Sequence, residues 1–201
     1  MKINVIGATG MIGSRVAAEA VRRGHEVIAI SRSGAAPQGA TQAEAIDFAD
    51  TAKIAQAIDA ADATVLATGP DRTGGSHDPY LNGHRALIAA KPKHRVLVVG
   101  GAGSLEVGGV QLKDLPEFPA AYHKEATTMG EMLDAYRASQ GLDWTVLSPA
   151  PMIAPGERSG SYRLGTDSPV GDSISAEDYA VAIVDELEKP AHRGRRFTVA
   201  N

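Results

Sequence analysis

The stretch that decides the fold is Met1-Lys2-Ile3-Asn4-Val5-Ile6-Gly7-Ala8-Thr9-Gly10-Met11-Ile12-Gly13. Ile3, Val5 and Ile6 form the near-continuous apolar run of a parallel strand buried on both faces. Gly7, Gly10 and Gly13 follow at regular spacing, and Ile12, Val16 and Ala20 then mark one face of a helix that Gly24 can end. A strand that enters a glycine-rich turn and opens straight into a helix is the setting in which such a triplet holds a dinucleotide. One glycine permits the tight turn, one lets a pyrophosphate reach bare backbone, and one lets the helix lie close on the sheet. Thr9, Met11 and Ile12 share this turn, where N–H groups at the positive helix end meet the phosphates. Gly13 is followed by Ser14 and Arg15, so the Gly-Lys-Ser/Thr of a P-loop is missing.

The second strand, Glu26 to Ile30, ends in Ser31-Arg32-Ser33. An NAD-binding chain places an acidic residue about 20 positions on, where it holds the ribose 2′-hydroxyl. No carboxylate stands here. A guanidinium can clasp a 2′-phosphate through two parallel hydrogen bonds and the two serines add donors, so NADP is expected, with NAD possible. Arg15 on the first helix is placed to reach the same phosphate.

Farther along, strand and helix keep alternating, which argues for an α/β architecture with a parallel sheet and helices on both faces. Strands are expected over 43–46, 62–67, 95–99, 144–147 and 196–200, with helices over 51–58 and 80–90. From Tyr122, the positions Ala126, Met129, Leu133 and Tyr136 follow helical spacing until Gly141. Ser175 caps a last helix striped by Ala176, Tyr179, Ala180, Ile183, Val184 and Leu187. Residues 105–119 and 149–172 read as irregular, and no repeat, low-complexity tract or linker interrupts the chain. Ligands bind outside the carboxyl ends of such strands. That singles out Asp47-Phe48, Thr68-Gly69-Pro70, Gly100-Gly101-Ala102-Gly103-Ser104 and Ser148-Pro149-Ala150-Pro151.

The form Gly-Ala-Thr-Gly-x-x-Gly resembles extended and atypical members of the short-chain dehydrogenase/reductase superfamily. Later motifs narrow the resemblance: Val98-Val99-Gly100-Gly101-Ala102-Gly103-Ser104-Leu105, Trp144-Thr145-Val146-Leu147-Ser148-Pro149-Ala150, Pro155-Gly156-Glu157-Arg158, Tyr162-Arg163-Leu164-Gly165, and Arg196-Phe197-Thr198-Val199. Across essentially the whole chain these are similar to atypical members of NADH-flavin reductase type, near NmrA-like proteins and biliverdin reductase B. The resemblance implies a single-domain, doubly wound Rossmann-like fold that binds a nicotinamide dinucleotide. It implies that Asp47 and the N–H of Phe48 hold the adenine, that Gly69 lets ribose and nicotinamide lie on backbone, and that Pro149 and Ala150 flank the nicotinamide ring. One feature departs from typical members. Their tyrosine is followed by a lysine one helical turn later, whereas Tyr122 has Ala126 there, and Tyr80, Tyr136, Tyr162 and Tyr179 have His84, Gln140, Thr166 and Ile183. Ser104 and Tyr122 remain as catalytic candidates, and Tyr80 with His84 as a possible acid pair.

Composition bounds the rest. The chain has 201 residues, enough for one well-buried core and too few for a substrate domain of normal size. Its net charge of −4 comes from scattered charges of both signs, without the basic stripe that nucleic acid requires. Zero cysteines remove disulfides and thiolate sites together. The six histidines show no ligand spacing, so no metal is expected. No apolar run matches a signal-peptide core or a bilayer span, and a cytoplasmic protein, monomeric or homodimeric, is expected. Segment 149–172, with Arg158 and Arg163, is expected to cover a small-molecule substrate. The functions these features support are NADPH-dependent hydride transfer to a small conjugated acceptor such as a flavin or quinone, and, as the alternative, non-catalytic NAD(P) sensing of NmrA-like type.

Overall fold

The apolar run at residues 2–6 becomes the strand from which the sheet grows in both directions. In the computed structural model, which describes residues 1–201, β1 (Lys2–Ile6) pairs in parallel with β2 (Glu26–Ser31) on one side and β4 (Ala63–Leu66) on the other. Beyond β2 lies β3 (Gln42–Ala45); beyond β4 lie β5 (Arg95–Val99), β8 (Trp144–Pro149) and β12 (Arg195–Ala200), all parallel. A short antiparallel strand, β10 (Arg163–Gly165), closes the far edge of this 8-stranded sheet. The chain therefore reverses the direction in which it adds strands between β1 and β4. A crevice must open above that point, because the connections leave to opposite sides.

Successive side chains of the central strands point to opposite faces, and both faces are apolar. Ile3, Val5, Val65 and Leu97 meet α1 (Met11–Arg22) and α5 (Ala176–Glu188). Ile6, Leu66, Val96 and Val98 belong to the second core, with α2 (Thr51–Asp59), α3 (Asp78–Ala90) and α4 (Ala120–Ala138). Each fully buried aliphatic side chain contributes about 1.5–3 kcal/mol, so the middle of the sheet is the strongest part of the fold. Asn4 is the polar exception on β1, and its Nδ2 donates to Ala57 O at 2.6 Å.

Several expectations shift by a residue or two at element ends, and others change in kind. β3 runs over 42–45, ends before Ile46, and all four of its residues are exposed because it is the sheet edge. The span 105–119 is not wholly irregular. Val107-Gly108-Gly109-Val110 folds a hairpin of β6 (Glu106–Val107) and β7 (Val110–Gln111), with both glycines at positive φ. Segment 149–172 also contains ordered strands: β9 (Met152–Ala154) pairs with β11 (Ser173–Ser175), and β10 joins the main sheet.

Between β9 and β10 the chain packs onto the α1/α5 face. Arg158 donates to both oxygens of Glu19 on α1, the Gly160 N–H donates to Asp178, and the Tyr162 hydroxyl donates to Asp185 on α5. Glu19 is 4% exposed, and burial alone would raise its carboxyl; Arg158, Arg22 and Arg23 outweigh that and hold it well below the usual range. The arginines expected to await a substrate are thus engaged elsewhere, Arg163 with the Asn201 carbonyl.

Gly13 shows how close the packing is. A Cβ there would overlap the Gly7 carbonyl and Ala8, whereas one at Gly69 would meet nothing within 4 Å. Gly13→Ala should therefore cost at least about 2 kcal/mol in urea unfolding, and Gly69→Ala less than about 0.5 kcal/mol. Equal midpoints for the two variants would contradict this packing.

Candidate functional site

Above the β1/β4 reversal lies a cleft of about 670 Å³. Three strand ends and the first turn build it. Gly7, Thr9 and Gly10 come from the turn after β1, Ser31 and Arg32 from the end of β2, Asp47 and Phe48 from beyond β3, and Thr68, Gly69 and Pro70 from beyond β4. These ten expected positions converge because parallel strands all end at one edge.

The turn shows what an anion would find. Gly7 adopts φ +81°, its N–H donates to Ile30 O at 2.9 Å, and a Cβ on it would lie 2.5 Å from Ala67 O. Gly10 is the N-cap of α1, with φ −75°, ψ 169° and no side-chain cap. The N–H groups of Met11, Ile12 and Gly13 have no acceptor within the chain, the first backbone bond of the helix being Ser14 N–H to Gly10 O. Two other helices carry a side-chain cap: Ser175 accepts from Asp178 N on α5 and Asp50 from Lys53 N on α2. Gly7 and Gly13 are thus required by packing, while Gly10, whose added Cβ would come only within 3.3 Å of the Gly7 carbonyl, sits in a conformation any residue can adopt.

Arg32 lines the cleft and holds no intramolecular partner, whereas Arg15 does not wait for a phosphate, its Nε donating to Glu177 at 2.6 Å. Of the two serines beside Arg32, only Ser31 spends its hydroxyl hydrogen, Oγ donating to Ala35 O at 2.7 Å; Ser33 Oγ accepts from Ala35 N and keeps its hydrogen to give, and both shape the turn that presents Arg32. Asp47 Oδ1 accepts from Ala49 N at 2.9 Å. The Phe48 ring lies over Gly83 of α3, where a Cβ would come within 2.7 Å of it.

Other expected residues lie outside the lining of this cleft. Met11 and Ile12 start α1, with Ile12 packed into the core; Pro149 ends β8, and Ala150 is buried behind it. Below them Tyr179 Oη donates to Leu147 O at 2.5 Å, which also accepts from Gly100 N at 2.7 Å and so ties β5 to β8. Glycines 100, 101 and 103 serve packing: Cβ atoms there would crowd Val146, Met129 and Ala126. Ser104 is 5% exposed, and its Oγ accepts from buried Arg196 at 3.2 Å. Tyr122 is 61% exposed, off the buried stripe of α4. Neither stands in the cleft, because the first is locked under the sheet edge and the second faces solvent.

Tyr80 and His84 are not an acid pair. Their rings meet edge to face at 4.5 Å without a hydrogen bond, and His84 Nδ1 instead lies 3.0 Å from Tyr136 Oη. Burial pushes His84 down to about 3 and Tyr80 well above the usual tyrosine value. Beside Tyr80, the cleft wall holds residues not expected from the sequence: Asp71, Arg72, Gly75, Ser76 and Pro79. Its signal was the polar, glycine-rich connection directly after the strand beside the reversal point.

A family described as NAD(P)H-binding matches residues 7–190. The chain belongs to that family. It is 43% identical to the Bacillus subtilis protein YwnB, itself described as uncharacterized, with 100% of this chain and 99% of that protein covered. A structure from Burkholderia pseudomallei, described as a "putative exported protein", is 44% identical over 100% of both chains with a TM-score of 0.88. Another, from Streptococcus pneumoniae TIGR4 and described as a "putative NADH-flavin reductase", is 33% identical over 100% and 99% of the chains with a TM-score of 0.85. No helix of this chain is long and apolar enough to cross a membrane.

The residues present fit a nicotinamide dinucleotide: uncapped amides at α1, space at Gly10, and an unpartnered guanidinium at the end of β2. Gly10→Val should stay folded, with a modest loss of stability from its contact with the Gly7 carbonyl, and lose dinucleotide binding, because the branched Cβ fills the approach to the amides. Calorimetric titration with NADPH checks it; undiminished affinity would place the phosphates elsewhere.

Proposed function

We propose that this protein transfers hydride from NADPH to a small conjugated acceptor, a flavin, a quinone or a related compound. The observation that carries the cofactor preference is Arg32, which stands unpartnered in the cleft with no carboxylate beside it where an NAD-binding chain would place one. The helix amides of residues 11–13 and the bare backbone of Gly10 would hold the pyrophosphate; Asp47 and Phe48 would take the adenine; Thr68, Gly69 and Pro70 would line the path toward the nicotinamide. The reduced nicotinamide supplies the hydride. A cytoplasmic setting suits a reaction that consumes it.

The choice of acceptor follows from the acids available. Tyr80, Tyr136, Tyr162 and Tyr179 are each pushed above the ordinary tyrosine value, with burial the largest cause, so each is a poorer proton donor than free tyrosine. Reducing an isolated ketone makes a strongly basic alkoxide, for which a positioned acid is worth a factor of roughly 10² to 10⁴. A flavin or quinone spreads the charge over a conjugated system, and water can supply the proton. What the chain must then provide is a shaped, ordered site, as the braced ends of β5 and β8 do. The NmrA-like alternative shares the cleft but needs no acceptor; binding without any turnover would favour it.

Arg32→Ala should weaken NADPH by roughly 30- to 150-fold, the equivalent of about 2 to 3 kcal/mol for a bidentate phosphate contact, while changing NADH little. Fluorescence titration measures both, and equal losses would remove Arg32 from the 2′-phosphate site. In assays of NADPH oxidation, conjugated acceptors should turn over and simple ketones should not. Ser104→Ala and Tyr122→Phe should each lower the rate by no more than about tenfold. Robust ketone reduction, or a loss of several hundredfold in either variant, would reveal an acid that this reading lacks.

A further inference from the structure

The order of the strands assigns the two ends of the site. From one edge the sheet runs β3, β2, β1, β4, β5, β8, β12. Arg32, Asp47 and Phe48 stand at the ends of β2 and β3, and the free amides of α1 lie over β1. A dinucleotide held by both has its adenosine half on the β2 and β3 side, so its nicotinamide extends the other way, over β4 and β5. An acceptor that meets it there lies over the ends of β5 and β8.

Three of the five methionines of the chain border this region. Met11, the first residue of α1, is 40% exposed although Ile12 beside it packs against the core. Met152, which opens β9 shortly after the end of β8, is 68% exposed although Ile153 packs against the same core. Met129 reaches in from α4: a Cβ on Gly101, just past β5, would lie 3.0 Å from its Sδ, so the bare backbone there leaves room for the sulfur.

These are flexible side chains on a braced frame. Arg15 donates from Nε to Glu177 at 2.6 Å and from Nη1 to Met11 O at 2.9 Å, and the other oxygen of Glu177 accepts from Gly156 N at 2.7 Å. The first turn of α1, the start of α5 and the chain after β9 are thus tied together, which fixes the backbones of Met11 and Met152 relative to each other. The strand ends beneath offer few donors. Pro149 and Pro151 have no N–H, and the Gly100 N–H is spent on Leu147 O at 2.7 Å. A thioether adds no donor either, being polarisable, unbranched and free to turn about its single bonds.

We propose that Met11, Met129 and Met152 form the seat of the acceptor, a thioether surface that takes the faces of planar conjugated rings and adapts to rings of different outline. The inference rests on the hydride-transfer reading of the cleft and narrows its substrate class to flat, aromatic or quinonoid acceptors held by contact rather than by hydrogen bonds. Sulfur packs favourably against an aromatic ring, and a flexible rim exchanges tight binding for breadth.

The test is steady-state oxidation of NADPH with menadione and with riboflavin, beside a fluorescence titration of NADPH alone. The parent should reduce both acceptors. Met152→Ala, at an exposed position whose loss leaves the core intact, should raise KM for both by about 3- to 10-fold and leave NADPH affinity within about twofold of the parent. Met152→Leu, which keeps the apolar bulk, should recover most of that loss. Brief treatment with hydrogen peroxide, which turns exposed thioethers into polar sulfoxides, should raise the acceptor KM of the parent, and the double variant Met11→Leu with Met152→Leu should resist it. An unchanged KM in Met152→Ala, or an equal loss of NADPH affinity, overturns the seat alone. A parent that binds NADPH but reduces neither acceptor overturns the hydride-transfer reading and the seat with it, and one that does not bind NADPH overturns the dinucleotide reading as well.

Discussion

Everything above the sheet depends on how closely the turn after β1 passes its neighbours. Gly7 rises off the strand at φ +81° so near to β4 that a side chain would strike the Ala67 carbonyl, and α1 starts so near to Gly7 that Gly13 has no room for one either. This contact seats the helix directly on the end of β1. Its unbonded amides are thereby aimed across the point where strand order reverses. A turn one methyl group wider would carry the helix dipole away from the crevice onto which Arg32, Asp47 and Thr68 open.

Charge is distributed to match. Buried ionic groups are paired: Arg95 donates to Glu186 at 2.5 Å, Arg196 is held by Asp167, and Glu19 gathers three guanidiniums. Such pairs offset their desolvation only when every lone pair is used, and Glu186 accepts from His192 and Ala191 as well. These networks clamp the α1/α5 face and the β12 end of the sheet. Arg32, exposed at the end of β2, and the start of α1 by contrast hold no side-chain partner within the chain. Both open onto one cleft.

The later segments are where sequence and structure part. Arg158, Arg163 and Tyr162 read as free polar groups in a loop long enough to cover a ligand. Instead they hold Glu19, the Asn201 carbonyl and Asp185. Ser104 reads as an exposed hydroxyl after a strand, yet Arg196, 92 positions away, buries it. Tyr122 follows helical spacing with Ala126, but the first turn of α4 projects beyond the core and leaves it in solvent. In each case the deciding partner comes from another element, and no local pattern names it.

What the sequence by itself determined is the set of features that depend on short range: alternating apolar strands and helices, the glycine spacing of the first turn, and a guanidinium where a carboxylate would select NAD. These follow from sterics and hydrophobic periodicity within about 30 residues, the span of one strand–helix–strand unit. Only the tertiary structure decided which of the hydroxyls and arginines remain free. Hydrogen bonds and ion pairs are claimed by whatever group packing brings near. Ser31 is spent on its own turn and Arg15 on Glu177, while Arg32 keeps no partner within the chain, because no carboxylate from another element is brought to it at the end of β2.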